Sequence, residues 1–177
     1  MLKTLRHISA VGLVTERAPA TDDSLRLRDA LQQRILSMLG RALCIRAVDA
    51  GSCNGCELEI HALNNPLYNL EGLGIRFVAS PRHADLLLVT GPVSKHMEVA
   101  LRRTYEATPD PKLVVAVGDC GCTGGIFGES YASRGRVSNV IPVDVAIPGC
   151  PPNPTRILTG ILTALESTTT SVKREQP

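Results

Sequence analysis

The chain has 177 residues, enough for one domain of ordinary size, and its 19 Lys and Arg nearly balance its 17 Asp and Glu, so neither a nucleic-acid footprint nor an acidic solvating tail is indicated. Only 3% of the residues are aromatic and none is Trp, which requires an aliphatic core and argues against base-stacking platforms for single-stranded nucleic acid. No apolar run approaches the roughly 18 residues that cross a bilayer, and the opening MLKTLRHISAVGLVTERAPA lacks both a signal-peptide core and a twin-arginine pair. The cysteines are therefore expected in a reducing cytoplasm, where metal ligation outweighs disulfide bonding.

After an N-terminal segment without a clear pattern, Asp22, Asp23 and Ser24 offer helix caps. Leu27, Leu31, Ile35, Met38 and Leu39 then recur at helical spacing, with Arg26, Arg28, Gln33 and Arg34 on the opposite face. This amphipathic helix reads either as an ordinary surface helix or, given its basic polar face, as a docking helix set against a membrane subunit or lipid. From Cys44 the pattern becomes strand, loop, helix, repeated. Short aliphatic runs predict strands over Cys44 to Asp49, Ile75 to Ser80, Leu86 to Thr90, Leu113 to Val117 and Val143 to Ile147. Helices are expected over Glu57 to Asn65, Ser94 to Ala107 and Pro154 to Glu166, the last opened by a first-turn proline. Alternating elements with continuous apolar strands imply an α/β fold with a parallel sheet covered on both faces, and right-handed crossovers favour the doubly wound, flavodoxin-like order 2-1-3-4-5. The expected organisation is an extension and helix over 1–43, the α/β domain over 44–166 and a polar tail over 167–177.

Cysteines punctuate this framework. CNGC at Cys53 to Cys56 follows the first strand, GDCGC with Cys120 and Cys122 the fourth, and PGCPP with Cys150 the fifth. The carboxyl ends of neighbouring strands in such a sheet open onto one crevice, so three sequence-distant cysteine groups are expected to converge there. Cysteine-only ligation amid glycine and proline suits an iron–sulfur cluster; a structural zinc site or a thioredoxin-like dithiol is a weaker alternative. A dithiol leaves Cys120 and Cys150 without a task, and zinc ribbons present paired knuckles rather than single ligands from separate loops. Cys44, inside a predicted strand, reads as a buried structural thiol. Glycines 51, 55, 118, 121, 124, 125 and 149 are available for positive-φ turns around the sulfurs. Glu57, directly after Cys56, reads as a helix-start or interface residue or as a link between electron and proton movement, and Asp119 as a brace of its loop. His61 reads as an interface or surface residue, and His83 and His96 carry no signal.

GSCNGCELEI, VGDCGCTGGIF and IPGCPPNP, in this order, resemble the small electron-transfer subunit of group 4 [NiFe] hydrogenases, the energy-converting and formate hydrogenlyase types, and the homologous 20-kDa subunit of complex I. The likeness spans most of the chain, about Cys44 to Glu166. It implies a flavodoxin-like fold holding one [4Fe-4S] cluster on Cys53, Cys56, Cys120 and Cys150, with Cys122, two positions beyond the expected ligand, not required and kept only as a reserve fourth ligand. It also implies a hydrogenase-type large subunit, a ferredoxin-like iron–sulfur subunit and an integral membrane subunit as partners, at the cytoplasmic face of the membrane. Complex I members, which pass electrons to quinone, carry adjacent cysteines in the first motif, so the CxxC spacing favours a hydrogenase-type partner. A zinc-binding scaffold remains the alternative of another class.

Overall fold

Five aliphatic runs, rich in β-branched residues, form one parallel sheet: β1 Leu43–Asp49, β2 Ile75–Phe77, β3 Leu86–Thr90, β4 Leu113–Val117 and β5 Val145–Ile147. The strand order is β2-β1-β3-β4-β5 with every neighbouring pair parallel, the flavodoxin-like order expected from the sequence. The computed structural model describes residues 2–11 and 23–172. Its helices are α1 Leu2–Val11, α2 Asp23–Leu39, α3 Gly55–Ala62, α4 Lys95–Ala107, α5 Gly118–Thr123 and α6 Pro154–Val172. Asp22, one of the capping candidates, lies outside the described residues.

Two strands are shorter than their sequence patterns suggest, each for a local reason. β2 stops at Phe77 rather than Ser80, after a last rung in which Val78 N donates to Ile45 O at 2.9 Å. There the Ser80 hydroxyl caps a 3-10 turn over Pro81–His83 and draws the chain out of the sheet. β5 starts at Val145 because Asp144 is used otherwise: its carboxylate accepts from Val114 N at 2.7 Å while its own N–H donates to Val114 O at 2.9 Å. At the other end of the chain, α6 runs to Val172, so the expected polar tail begins as helix, and residues 173–177 lie outside the described part.

Strand alternation splits the core across the sheet. Ile45, Leu86, Leu88, Val115 and Val117 pack on one face with Leu31 and Ile35 of α2, Ile60 of α3, and Ile157, Leu158 and Ile161 of α6. Leu87, Val89, Val114 and Ala116 pack on the other with Leu101 of α4, Val137 and Ile141. β3 is buried along its whole length, which accounts for its unbroken apolar run up to Thr90. The helix α2 thus lays its apolar stripe against the sheet layer and α6. No helix among the described residues is long and apolar enough to cross a membrane.

Candidate metal centre

The loops that leave the carboxyl ends of β1, β3, β4 and β5 meet at the crevice where the strand order reverses. The first is folded back on itself by Asp49, whose Oδ1 accepts from Gly51 N at 2.8 Å and Ser52 N at 2.7 Å. The Ser52 hydroxyl then accepts from Asn54 N at 3.1 Å, and Asn54 itself takes the left-handed conformation, φ 70°, just before α3. Among the glycines expected to supply positive φ, Gly55 and Gly121 do not; in the CNGC segment Asn54 takes that role, a tolerance Asn shares with Gly. At the end of β3, Gly91 has φ +76°, and a Cβ there would fall 2.6 Å from Ser52 N, so the two loops touch backbone to backbone.

The GDCGC motif is a short helix, α5, and not the loop that its glycines suggest. Residues two apart on a helix point about 200° away from each other, which divides the two cysteines. Cys120 faces the crevice, whereas the Cys122 thiol turns back to Ala116 O at 3.7 Å. Gly118 opens this helix with φ +83°, and a Cβ on it would stand 2.5 Å from Cys56 Sγ. Asp119 joins the helix to the loop after β5: its N–H donates to Gly149 O at 2.8 Å and its Oδ1 accepts from Gly149 N at 2.7 Å. That reciprocal pair is the brace read from the sequence, and it sets Cys150 beside Cys120.

Cys53, Cys56, Cys120 and Cys150 accordingly line one small cavity with Ser52, Gly55, Gly91, Asp119, Gly149 and Pro151. Convergence of the three motifs is therefore a feature of the fold. Burial, reinforced by Glu57 and then by Cys53, Cys120 and Cys150, pushes the Cys56 thiol up to about 12. Burial, then Cys150, Cys53 and Asp119, raises that of Cys120. Thiols this close oppose one another's ionisation, and a bound cationic centre reverses that opposition by deprotonating them. Among the described residues no three His, Cys, Asp or Glu side chains converge to hold a single metal ion. Four thiol donors from three motifs line this one cavity. That donor set fits a cluster that spreads its ligands over separate irons.

The remaining candidates lie off this cavity. Cys44 is buried near the start of β1, at the far end of the sheet, with its thiol toward Ala42 O at 3.8 Å. Burial, then Asp119, pushes Cys122 up to about 11. His83 and His96 are exposed, while His61 lines a separate cavity of about 310 Å³ beneath α3, shared with Arg46, Glu57 and Thr90. Glu57 hydrogen-bonds through Oε1 with the Thr90 hydroxyl. Thr90 carried no functional reading in the sequence; its one signal is to be the polar residue that ends the run LLLVT, and it is 1% exposed.

Residues 53–164 match the family model described as the NADH ubiquinone oxidoreductase 20-kDa subunit. A probable membrane-bound hydrogenase subunit of Pyrococcus furiosus is 45% identical over 160 residues, covering 89% of this chain and 95% of that protein. Formate hydrogenlyase subunit 7 of Escherichia coli is 44% identical over 136 residues, which span 77% of this chain but 53% of that longer relative. Among solved structures, a chain of the archaeal membrane-bound sulfane sulfur reductase superposes with a TM-score of 0.64 at 33% identity, covering 84% of this chain and 77% of that one.

Proposed function

The chain belongs to the family of the NADH ubiquinone oxidoreductase 20-kDa subunit, and on that premise we propose that it carries one [4Fe-4S] cluster on Cys53, Cys56, Cys120 and Cys150 and relays electrons beside a large partner subunit. Its relatives are subunits of membrane-bound hydrogenase and respiratory complexes, and the chain is accordingly a subunit of an oxidoreductase complex. The observation that carries the finer reading is the set of four thiols drawn from three motifs onto one cavity, with the fifth motif cysteine, Cys122, turned away.

A cluster bound there supplies single-electron transfer. The chain's own residues do the rest. Asp49 holds the first loop in its tight turn, Asp119 locks α5 to the loop after β5, and Gly91 and Gly118 leave room for the sulfurs and backbone to approach. Exposed apolar side chains follow two of the motifs: Leu58, two residues after Cys56, is 62% exposed, and Ile126 and Phe127, following α5, are 94% and 53% exposed. Apolar side chains so placed suit burial against the large subunit, with water excluded from the cavity mouth. A ferredoxin-like subunit and an integral membrane subunit complete the proposed assembly, at the cytoplasmic face of the membrane. The CxxC spacing and the likeness to hydrogenase subunits favour a hydrogenase-type partner over quinone. The likeness to a sulfur reductase complex is consistent with the substrate chemistry residing on the partner rather than on this chain.

The test is iron and sulfide analysis of the full chain purified without oxygen, with EPR after reduction. About four irons per chain are expected, lost on Cys56→Ala or Cys120→Ala and retained on Cys122→Ala or Cys44→Ala. One zinc and no EPR signal would overturn the reading.

A further inference from the structure

The CNGC segment is secured at both ends, and the far end is unusual. With Asn54 as the residue before the helix, Glu57 occupies the third helical position, where a carboxylate ordinarily reaches back to the backbone N–H of the capping residue. Here that N–H is already satisfied, since Asn54 N donates to the Ser52 hydroxyl, and the Asn54 side chain caps nothing. Glu57 is thereby released from the local cap and turns to the sheet, where Oε1 meets the hydroxyl of Thr90 on the last residue of β3. The same hydroxyl lies 3.3 Å from Val48 O on β1. Oε2 of Glu57 is buried with no partner. A buried carboxylate oxygen left unpaired is costly and persists where its surroundings hold it in place.

We propose that Thr90 is a positioning residue for the cluster, acting through Glu57 to set the first turn of α3 and with it the Cys56 sulfur. This inference rests on the four-cysteine reading above. Cys56 immediately precedes Glu57, so the carboxylate that Thr90 holds determines where the start of α3 sits over β1 and β3. The Cys56 sulfur stands 2.5 Å from where a Cβ at position 118 would fall, so its place beside Gly118 depends on how the start of α3 is set. Partners one step removed from a metal ligand typically change affinity about 10–100-fold when removed.

The experiment uses the full chain purified without oxygen and compares Thr90→Val, which keeps the shape and loses the hydroxyl, with Thr90→Ser, which keeps the hydroxyl. Release of iron to a ferrous chelator is expected to be about ten-fold faster in Thr90→Val, with shifted EPR g-values, and Thr90→Ser is expected to return both to the wild-type values. Wild-type release and spectrum in Thr90→Val, in a protein whose wild type holds iron, would overturn the inference and leave the cluster reading intact. A wild type that holds no iron would overturn both. If Thr90→Val does not fold, Glu57→Ala reads the same contact from the helix side: faster release supports it and an unchanged rate rejects it.

Discussion

The two ends of the sheet are built from similar residue types and put them to opposite use. At the amino end, Asp85 accepts from Arg41 at 2.9 and 2.6 Å and from Cys44 N at 2.9 Å, while its backbone donates to Cys44 O at 2.8 Å and accepts from Leu113 N at 3.0 Å. Asp144 does the same for Val114. At the carboxyl end Asp49 and Asp119 again tie backbone to backbone, but there they brace four thiols around a shared cavity. Cys44 lies at the start of β1 and Cys56 beyond its end, one packed as a small apolar group and the other held among sulfurs. The lesson is that aspartate closes both edges of the backbone, and glycine at the carboxyl edge decides that sulfur can gather there.

The contrast is broken most severely at Gly118. Gly118→Ala combines a left-handed φ with a Cβ 2.5 Å from Cys56 Sγ, so the chain is expected to lose nearly all its iron and about 1–3 kcal/mol of stability. Iron content and urea unfolding read the two losses separately. A smaller effect of a different kind is expected at the other end. Asp85→Ala leaves the Cys44 N–H and the Arg41 guanidinium without their acceptor and is expected to lower the unfolding free energy by about 1–3 kcal/mol, with iron content unchanged. Loss of iron in that variant would show that the two ends are coupled and that the contrast is too sharp.

A further effect is one of pH, and it concerns the chain free of any metal. Cys56 is raised by burial and its neighbours from an ordinary value of 9.0 to about 12. The folded chain therefore keeps this proton over a range where the unfolded chain gives it up. The stabilisation is complete below about pH 9 and falls as pH rises toward about 12. Cys122, raised to about 11, adds to the same slope. Urea midpoints across this range are expected to decline with pH, and less so in Cys56→Ala. An identical decline in that variant would remove Cys56 as the source.

Legibility followed the range of the interactions involved. β3 and β4 were read to the residue, because an apolar run buried on both faces leaves a continuous local trace. α5 was not, because GDCGC has the composition of a loop and becomes helical through the turn at Gly118 and the ties of Asp119 to Gly149. The four thiols are singled out by motif order and resemblance, and the fold brings them to one cavity. Thr90 was missed, since nothing in LLLVT marks a hydroxyl that will meet a carboxylate 33 residues away in sequence.

The sequence by itself determined the class of the sheet, its strand order and the placement of each cysteine motif after a strand, since apolar runs, turn residues and crossover handedness act over short stretches of chain. Only the tertiary structure decided that GDCGC is helical, where β2 ends, and that Glu57 leaves its local cap for Thr90. Those outcomes depend on helix phase and on partners brought close by folding, and contacts of that kind leave no periodic mark on either segment alone.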